Sequence, residues 1–248
     1  MFLKVLSGAL IPLVGTSVGS LIAFVSLKRM SDRITALLSG FASGVMVAAS
    51  VWSLLLPAIE FASYDGSGFL EPCIGLSSGL LLMIYFESFF GKYTANNSKE
   101  KLMYFAVTLH NLPEGMAIGA AYSAYVCSAD ESLALSALLL SVGIAIQNIP
   151  EGAIVSLPFK ENFSKIKRFT FGVLSGIIEP VAVLLTVALS NFLVPILPFM
   201  LSFAAGAMIY VVLKELVPDF SEEESFRVGV ISFFCGFMLM MSLDVALG

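Results

Sequence analysis

The chain has 248 residues, 58% of them hydrophobic and only 12% charged, with a mean hydropathy of +0.95. A water-soluble domain carries about 25% charged residues. Half that proportion cannot clothe a solvated surface, which excludes a soluble enzyme and a nucleic-acid-binding protein, and the net charge of −5 says nothing until it is placed on loops.

Apolar stretches of about 20 residues with few charges read as membrane-crossing helices. Eight follow one another, at about 3–27, 34–59, 71–91, 102–126, 133–158, 168–191, 195–217 and 226–247, joined by short polar connections. They predict an all-α integral membrane protein with a single transmembrane transport domain over 1–248. The first segment is longer than the about 7–15 residues of a signal-peptide core and shows no convincing cleavage site, so it counts as a span. In the second, Met46, Ser53 and Glu60 are spaced by seven and fall on roughly one helix face, running from mid-membrane to the outer end. Met46 reads equally well as a thioether ligand or as core filler. Glu60, with Asp65 and Glu71, makes an acidic outer mouth suited to gathering cations, while Gly40, Ser43 and Gly44 suit helix packing or a homodimer interface.

The fourth and fifth segments carry the chemistry. His110-Asn-Leu-Pro-Glu-Gly115 recurs as Gln147-Asn-Ile-Pro-Glu-Gly152 on the next, antiparallel helix. Residues i and i+4 share a helix face, so His110 aligns with Glu114 and Gln147 with Glu151, with Asn111 and Asn148 beside them. A charged group at the centre of a membrane helix costs about 2.5–3.5 kcal/mol on insertion scales and marks an ion or substrate path. Pro113 and Pro150 free the carbonyls of Leu109 and Ile146. Such breaks are tolerated in a membrane where they border protein or a watery cavity. A plain packing kink with both Glu protonated leaves the duplication unexplained.

The sixth segment adds Glu179 beside Pro180. Three buried carboxylates demand counter-charge, and no Lys or Arg sits mid-span, which leaves protons or a bound cation. A cation with nitrogen and oxygen ligands fits best. The one histidine of the chain, His110, points to zinc, iron, copper or nickel rather than magnesium or calcium. In the seventh segment Phe203-Ala-Ala-Gly-Ala-Met208 repeats Phe41-Ala-Ser-Gly-Val-Met46 of the second. Those spans run in opposite directions, so segments 1–3 and 6–8 are expected to be inverted repeats with binding near the midplane. Cys73, Cys127 and Cys235 are far apart and read as small apolar packing residues, not as a disulfide or thiolate site. Twelve of the thirteen Lys and Arg lie at or beside the odd-to-even loops, Lys4 being the exception. By the positive-inside rule those loops are cytoplasmic and both termini face outward.

The paired PEG motifs, followed by Gly176-Ile-Ile-Glu-Pro180, resemble the ZIP family of zinc/iron-regulated transporters, and most nearly its GufA-like bacterial branch. The resemblance covers the whole chain. It implies eight spans in a 3+2+3 arrangement, residence in the cell inner membrane, and zinc as transported substrate rather than catalytic cofactor. It also implies two metals: the first on Met46, His110, Glu114, Gln147 and Glu151, the second on Asn111, Glu114, Asn148, Glu151 and Glu179. Ser53 and Glu60 match the family's entrance path. The chain departs from the pattern at Gln147, where many members have histidine, and at Asn148, where GufA-like members often carry an acid. A neutral amide there weakens the second site. Segment 92–101 holds no histidine, so sensing of cytosolic metal through that loop is not expected.

The combined expectation is zinc uptake without enzymatic activity, with cadmium, iron, manganese or cobalt as alternative substrates on the same scaffold. The rival is an intramembrane zinc hydrolase built on His110 and Glu114. Catalytic zinc usually takes three protein ligands such as His₃ or His₂Glu, and a single histidine argues against it.

Overall fold

A computed structural model describes residues 1–25, 31–64, 68–94, 99–156, 164–193, 196–220 and 223–247; within these, the side chains of 22–25, 63–64, 90–94, 99–110, 154–156, 193, 215, 224 and 247 lie outside the description. Every regular element among the described residues is helical. Helix α1 is Phe2–Val25; α2 is Asp32–Ala49, running on through π-helical Ser50–Leu55 into Leu56–Tyr64; α3 is Leu70–Thr94, α4 Lys99–Ser128 and α5 Glu131–Ser156. Helix α6 comes in two pieces, Lys165–Gly176 and Ile178–Ala188, and one turn, Ser190–Leu193, follows it. Helix α7 is Leu197–Val211, extended by π-helical Val212–Leu216 and a 3₁₀ turn Val217–Phe220, and α8 is Glu223–Leu247. Seven of these, all but α4, have a described stretch long and apolar enough to cross a bilayer.

Local chemistry sets the ends and breaks. Ser31 caps α2, its hydroxyl accepting from the Ile34 N–H at 3.4 Å, with Asp32 in the first turn against the helix dipole. Ser164 caps α6 through the Lys167 N–H in the same way. Asp130 accepts from both the N–H and the hydroxyl of Ser132 at the head of α5, at 2.9 and 2.8 Å, and these bonds hold its carboxyl below the usual range. Helix α6 breaks at Ile177 because Pro180 has no N–H for the carbonyl of Gly176.

Four helix pairs dominate the packing: α2 with α8, α7 with α3, α1 with α5, and α4 with α6. At their crossings one backbone lies directly on another, and glycine is the residue that permits it. A Cβ on Gly44 of α2 would stand 2.7 Å from the amide nitrogen of Phe237 on α8 and meet the Phe233 carbonyl, while Gly236 of α8 meets the carbonyl of Phe41. On the other pair, Gly206 of α7 lies against the Leu76 carbonyl and Gly79 of α3 against that of Phe203. Between these crossings the core holds Met46, Leu54, Ile118, Tyr122, Leu140, Ile144, Met208 and Met240, each nearly inaccessible. Leu21, Leu56, Leu81, Tyr85, Phe192, Ile231 and Phe234 project outward, as a lipid-facing surface requires.

Three expectations change. Cys73, Cys127 and Cys235 are not packed inside the bundle; all three are exposed, Cys73 on α3, Cys127 in the last turn of α4 and Cys235 on α8. Glu60 belongs to helix rather than loop, because α2 continues to Tyr64; Asp65 lies outside the described residues. The seven-residue spacing of Met46, Ser53 and Glu60 does not describe one straight face, since the π-helical turn Ser50–Leu55 intervenes. Lys4, the odd cation of the charge pattern, pairs with Glu131 across the N-terminal ends of α1 and α5 and stands over the ring of Tyr125.

The glycine crossings set a stability expectation. Gly44→Ala forces α2 and α8 apart and costs about 1–3 kcal/mol. Gly143→Ala meets only the flexible end of the Met240 side chain and costs less. Thermal unfolding of the two variants in detergent checks the order; equal melting temperatures would refute the backbone contact at Gly44.

Candidate metal centre

The two PEG motifs lie in mid-helix, on α4 and α5, and Glu179 lies just past the break in α6. Asn111, Glu114, Gln147, Asn148 and Glu179 are at most 1% exposed, and Glu151 is 4% exposed. Three carboxylates therefore sit inside an apolar bundle, where an unpaired charge is costly. Bonds from the adjacent residues Gln147 and Asn148 of α5 reach Glu114 on α4 and Glu179 on α6, which brings the three helices together here. Amides on the same helices lie between them.

Each amide has one end committed. Gln147 Nε2 donates to Glu114 Oε1, tying α5 to α4. Asn148 Nδ2 donates to Glu179 Oε2 at 2.9 Å and to the carbonyl of Pro12 at 3.3 Å. Asn111 Nδ2 donates to the Ser175 carbonyl at 2.9 Å, beside the break in α6. What remains without a donor is a set of buried acceptor oxygens: Asn111 Oδ1, Glu114 Oε2, Gln147 Oε1, Asn148 Oδ1 and Glu179 Oε1. Buried acceptors are ordinarily satisfied. Five in one region, beside amides whose NH₂ groups are already bonded elsewhere, fit a cation.

Met46 is fully buried in α2, which packs on α5. The backbone of His110 continues α4 one turn before Glu114, and its side chain lies outside the described residues. Among the described residues no three His, Cys, Asp or Glu side chains form a metal-holding group by themselves. The donors that the fold gathers are carboxylates interleaved with amides.

Ser53 and Glu60 do share a space. Both line a cavity of about 310 Å³ with Trp52, Pro57 and Asp244. Ser53 donates to Asp244 Oδ1 at 2.7 Å, and Oδ2 of the same carboxylate has no donor. Asp244 was missed from sequence, although a signal existed: it is the one charged residue after Arg227, in an otherwise apolar segment. A lone acid there deserves the same suspicion as Glu179.

Residues 97–244 match the sequence model of a family described as ZIP Zinc transporter. The chain belongs to the ZIP family. It is 35% identical to the zinc transporter ZIPB of Bordetella bronchiseptica, over 94% of this chain and 78% of that protein. It is 30% identical to the zinc transporter GufA of Myxococcus xanthus, over 79% of this chain and 81% of that one, which bears out the GufA-like branch. With the zinc transporter ZIP11 of Xenopus tropicalis it shares 30% identity over 99% of this chain and 98% of the relative. The matched region contains both PEG motifs, Glu179 and Asp244.

The Asn111 bond should be structural as well as positional. Asn111→Leu strands the buried Ser175 carbonyl, and leaving such a group unsatisfied costs about 1–3 kcal/mol. The melting temperature of the apo protein in detergent is expected to fall accordingly; an unchanged value would remove the bond from the account of the α6 break.

Proposed function

We propose that this ZIP-family chain carries zinc across a cell membrane into the cytoplasm, through a centre on α4, α5 and α6. The observation that carries the reading is the set of five buried acceptor oxygens without donors, three from amides and two from carboxylates, in a region that also buries Glu151. Met46, His110, Glu114, Gln147 and Glu151 hold the divalent ion, and Asn111, Asn148 and Glu179 line the adjoining space. Ser53, Glu60 and Asp244 form the entrance at the outer mouth. Zinc here is cargo, and the protein is a transporter rather than an enzyme. The oxygen-rich donor set also suits cadmium, iron, manganese and cobalt as secondary substrates.

The scaffold we infer has eight spans in a 3+2+3 order, with α1–α3 and α6–α8 as inverted repeats around α4 and α5. The contacts support it twice over. Gly44 on Phe233, Gly236 on Phe41, Gly206 on Leu76 and Gly79 on Phe203 are one interface used twice, with α2 exchanged for α7 and α8 for α3. Both π-helical turns begin four residues after the repeated Met46 and Met208. The bonds of Asn148 to Pro12 and Asn111 to Ser175 repeat under the exchange of α5 with α4 and α1 with α6.

Two four-helix groups follow from the same contacts. Helices α1, α4, α5 and α6 cross with backbones touching at Gly15, Gly19, Gly115 and Gly152, and α2, α3, α7 and α8 do likewise among themselves. Between the groups the close approach at Gly143 is to a side chain, Met240, which can yield. Rocking or elevator-like sliding of the first group against the second is the motion this division favours, as inverted-repeat transporters use.

Zinc uptake into proteoliposomes tests the centre. Glu114→Ala and Glu151→Ala are expected to reduce flux to the level of empty vesicles, and wild-type rates in both would refute it. Orientation is tested at Cys127, exposed at the end of α4. In a Cys73→Ser, Cys235→Ser background, a membrane-impermeant maleimide should label Cys127 on intact cells. Labelling only after permeabilisation would reverse the assigned topology.

A further inference from the structure

The space bounded by Asn111, Asn148 and Glu179 differs in chemistry from the half of the centre that includes Met46. Its donors without partners are all oxygens: two amide carbonyls, Asn111 Oδ1 and Asn148 Oδ1, and one carboxylate oxygen, Glu179 Oε1. Neither amide is free to turn its NH₂ group inward. Asn111 Nδ2 is held by the Ser175 carbonyl at 2.9 Å, and Asn148 Nδ2 by Glu179 Oε2 at 2.9 Å and the Pro12 carbonyl at 3.3 Å. Ser175 and Glu179 stand one turn apart, on either side of the break at Ile177. Both amides are thus anchored to the same broken stretch of α6.

Charge then decides what such a space accepts. With Glu114, Glu151 and Glu179 ionised, the centre holds three negative charges. One divalent ion leaves a net −1 and two leave a net +1, and neither remainder is tolerated unpaired in the middle of a bilayer. An aspartate at 148 would have made two divalent ions neutral. Asn148 does not; one divalent and one monovalent cation do.

We propose that Asn111, Asn148 and Glu179 form a site for an alkali cation, sodium in the first place, occupied together with the transported divalent ion. The proposal rests on the reading of the α4–α6 centre as the transport site. Hard oxygen donors without nitrogen or sulfur suit a hard cation. A broken membrane helix beside the site is the setting in which transporters hold coupling ions. A proton on Glu179 would satisfy the same charge count, but it partners a single acceptor, whereas a spherical ion meets three at once.

The test is zinc uptake by the purified full-length protein in proteoliposomes, at one pH, in sodium, potassium or choline chloride. Zinc flux is expected to rise by at least about fivefold from choline to sodium, the low end of a coupling between two sites, and radioactive sodium is expected to enter only when zinc is present. Asn148→Asp should abolish the sodium dependence and raise the cadmium bound at equilibrium from one ion per chain to two. Equal zinc flux in all three salts, or a rate that follows pH and ignores the salt, overturns the sodium site and leaves zinc transport standing. No zinc flux in any salt, from protein whose helical circular dichroism is intact, overturns the reading of the centre itself. Should Asn148→Asp fail to fold, the salt series on the unaltered protein decides alone.

Discussion

Burying three carboxylates among apolar helices is the constraint on which the rest of this structure depends. Glu114, Glu151 and Glu179 would each prefer water, and taking a charge out of water costs several kcal/mol even after relaxation, roughly what a folded domain can spare. The chain answers with neutral dipoles. Gln147 takes one oxygen of Glu114 and Asn148 one oxygen of Glu179, so these two carboxylates are each half satisfied within the protein. The other half is left for something positive. A full set of Lys or Arg partners would have closed the centre permanently; amides stabilise it enough to fold and leave it able to bind and release.

Breaking the helices serves the same end. Each proline beside a carboxylate frees a backbone carbonyl, and the freed or neighbouring carbonyls become anchors for the amides, as Ser175 is for Asn111. Amide rotamers that would be floppy in a regular helix are thereby fixed, with oxygen and NH₂ assigned to opposite duties. Preorganisation of this kind lowers the entropic cost of ligation. It also suits the asparagine that follows the first residue of both motifs: an amide carries donor and acceptor on separate atoms, so its NH₂ can bond the neighbouring helix while its oxygen faces the site.

Much of this was readable before any coordinates. Carboxylates are so unfavourable in a bilayer that Glu114, Glu151 and Glu179 stand out in the sequence, and the duplicated motif carries Asn111, Gln147 and Asn148 with them; the bonds that join them run between helices, Gln147 to Glu114 and Asn148 to Glu179. The repeats Phe41–Met46 and Phe203–Met208 were visible as well, although six small residues gave little hint that they carry backbone-on-backbone crossings. What could not be read was anything that depends on helix register between spans. The π-helical turns after Met46 and Met208 have no local sequence signature, and they undo the straight face inferred for Met46, Ser53 and Glu60. Exposure of the cysteines was misjudged for a related reason: in a membrane protein the outside is apolar too, so a small apolar residue is as much at home facing lipid as facing the core.

The proposed repeat also shows where symmetry is broken, and that is where direction enters. Counting eight residues on from Gly79 and Gly236, which occupy matching crossings, brings Glu87 on α3 opposite Asp244 on α8. Asp244 shares an open cavity with Ser53 and Glu60 and keeps one oxygen without a donor. Glu87, exposed on its helix, is instead already partnered, paired with Lys214 at 2.8 Å and accepting from the Tyr210 hydroxyl. One end of the pseudo-symmetric scaffold therefore offers a carboxylate to an arriving cation, while the other supplies its own. The gradient sets net flow in any transporter of this kind. The two carboxylates nevertheless differ in what they have left to offer: one oxygen of Asp244 lacks a donor, whereas Glu87 already has a lysine and a tyrosine. A duplicated fold becomes polarised by a lysine and a tyrosine on one side and a serine on the other, with no change to the helices that carry them.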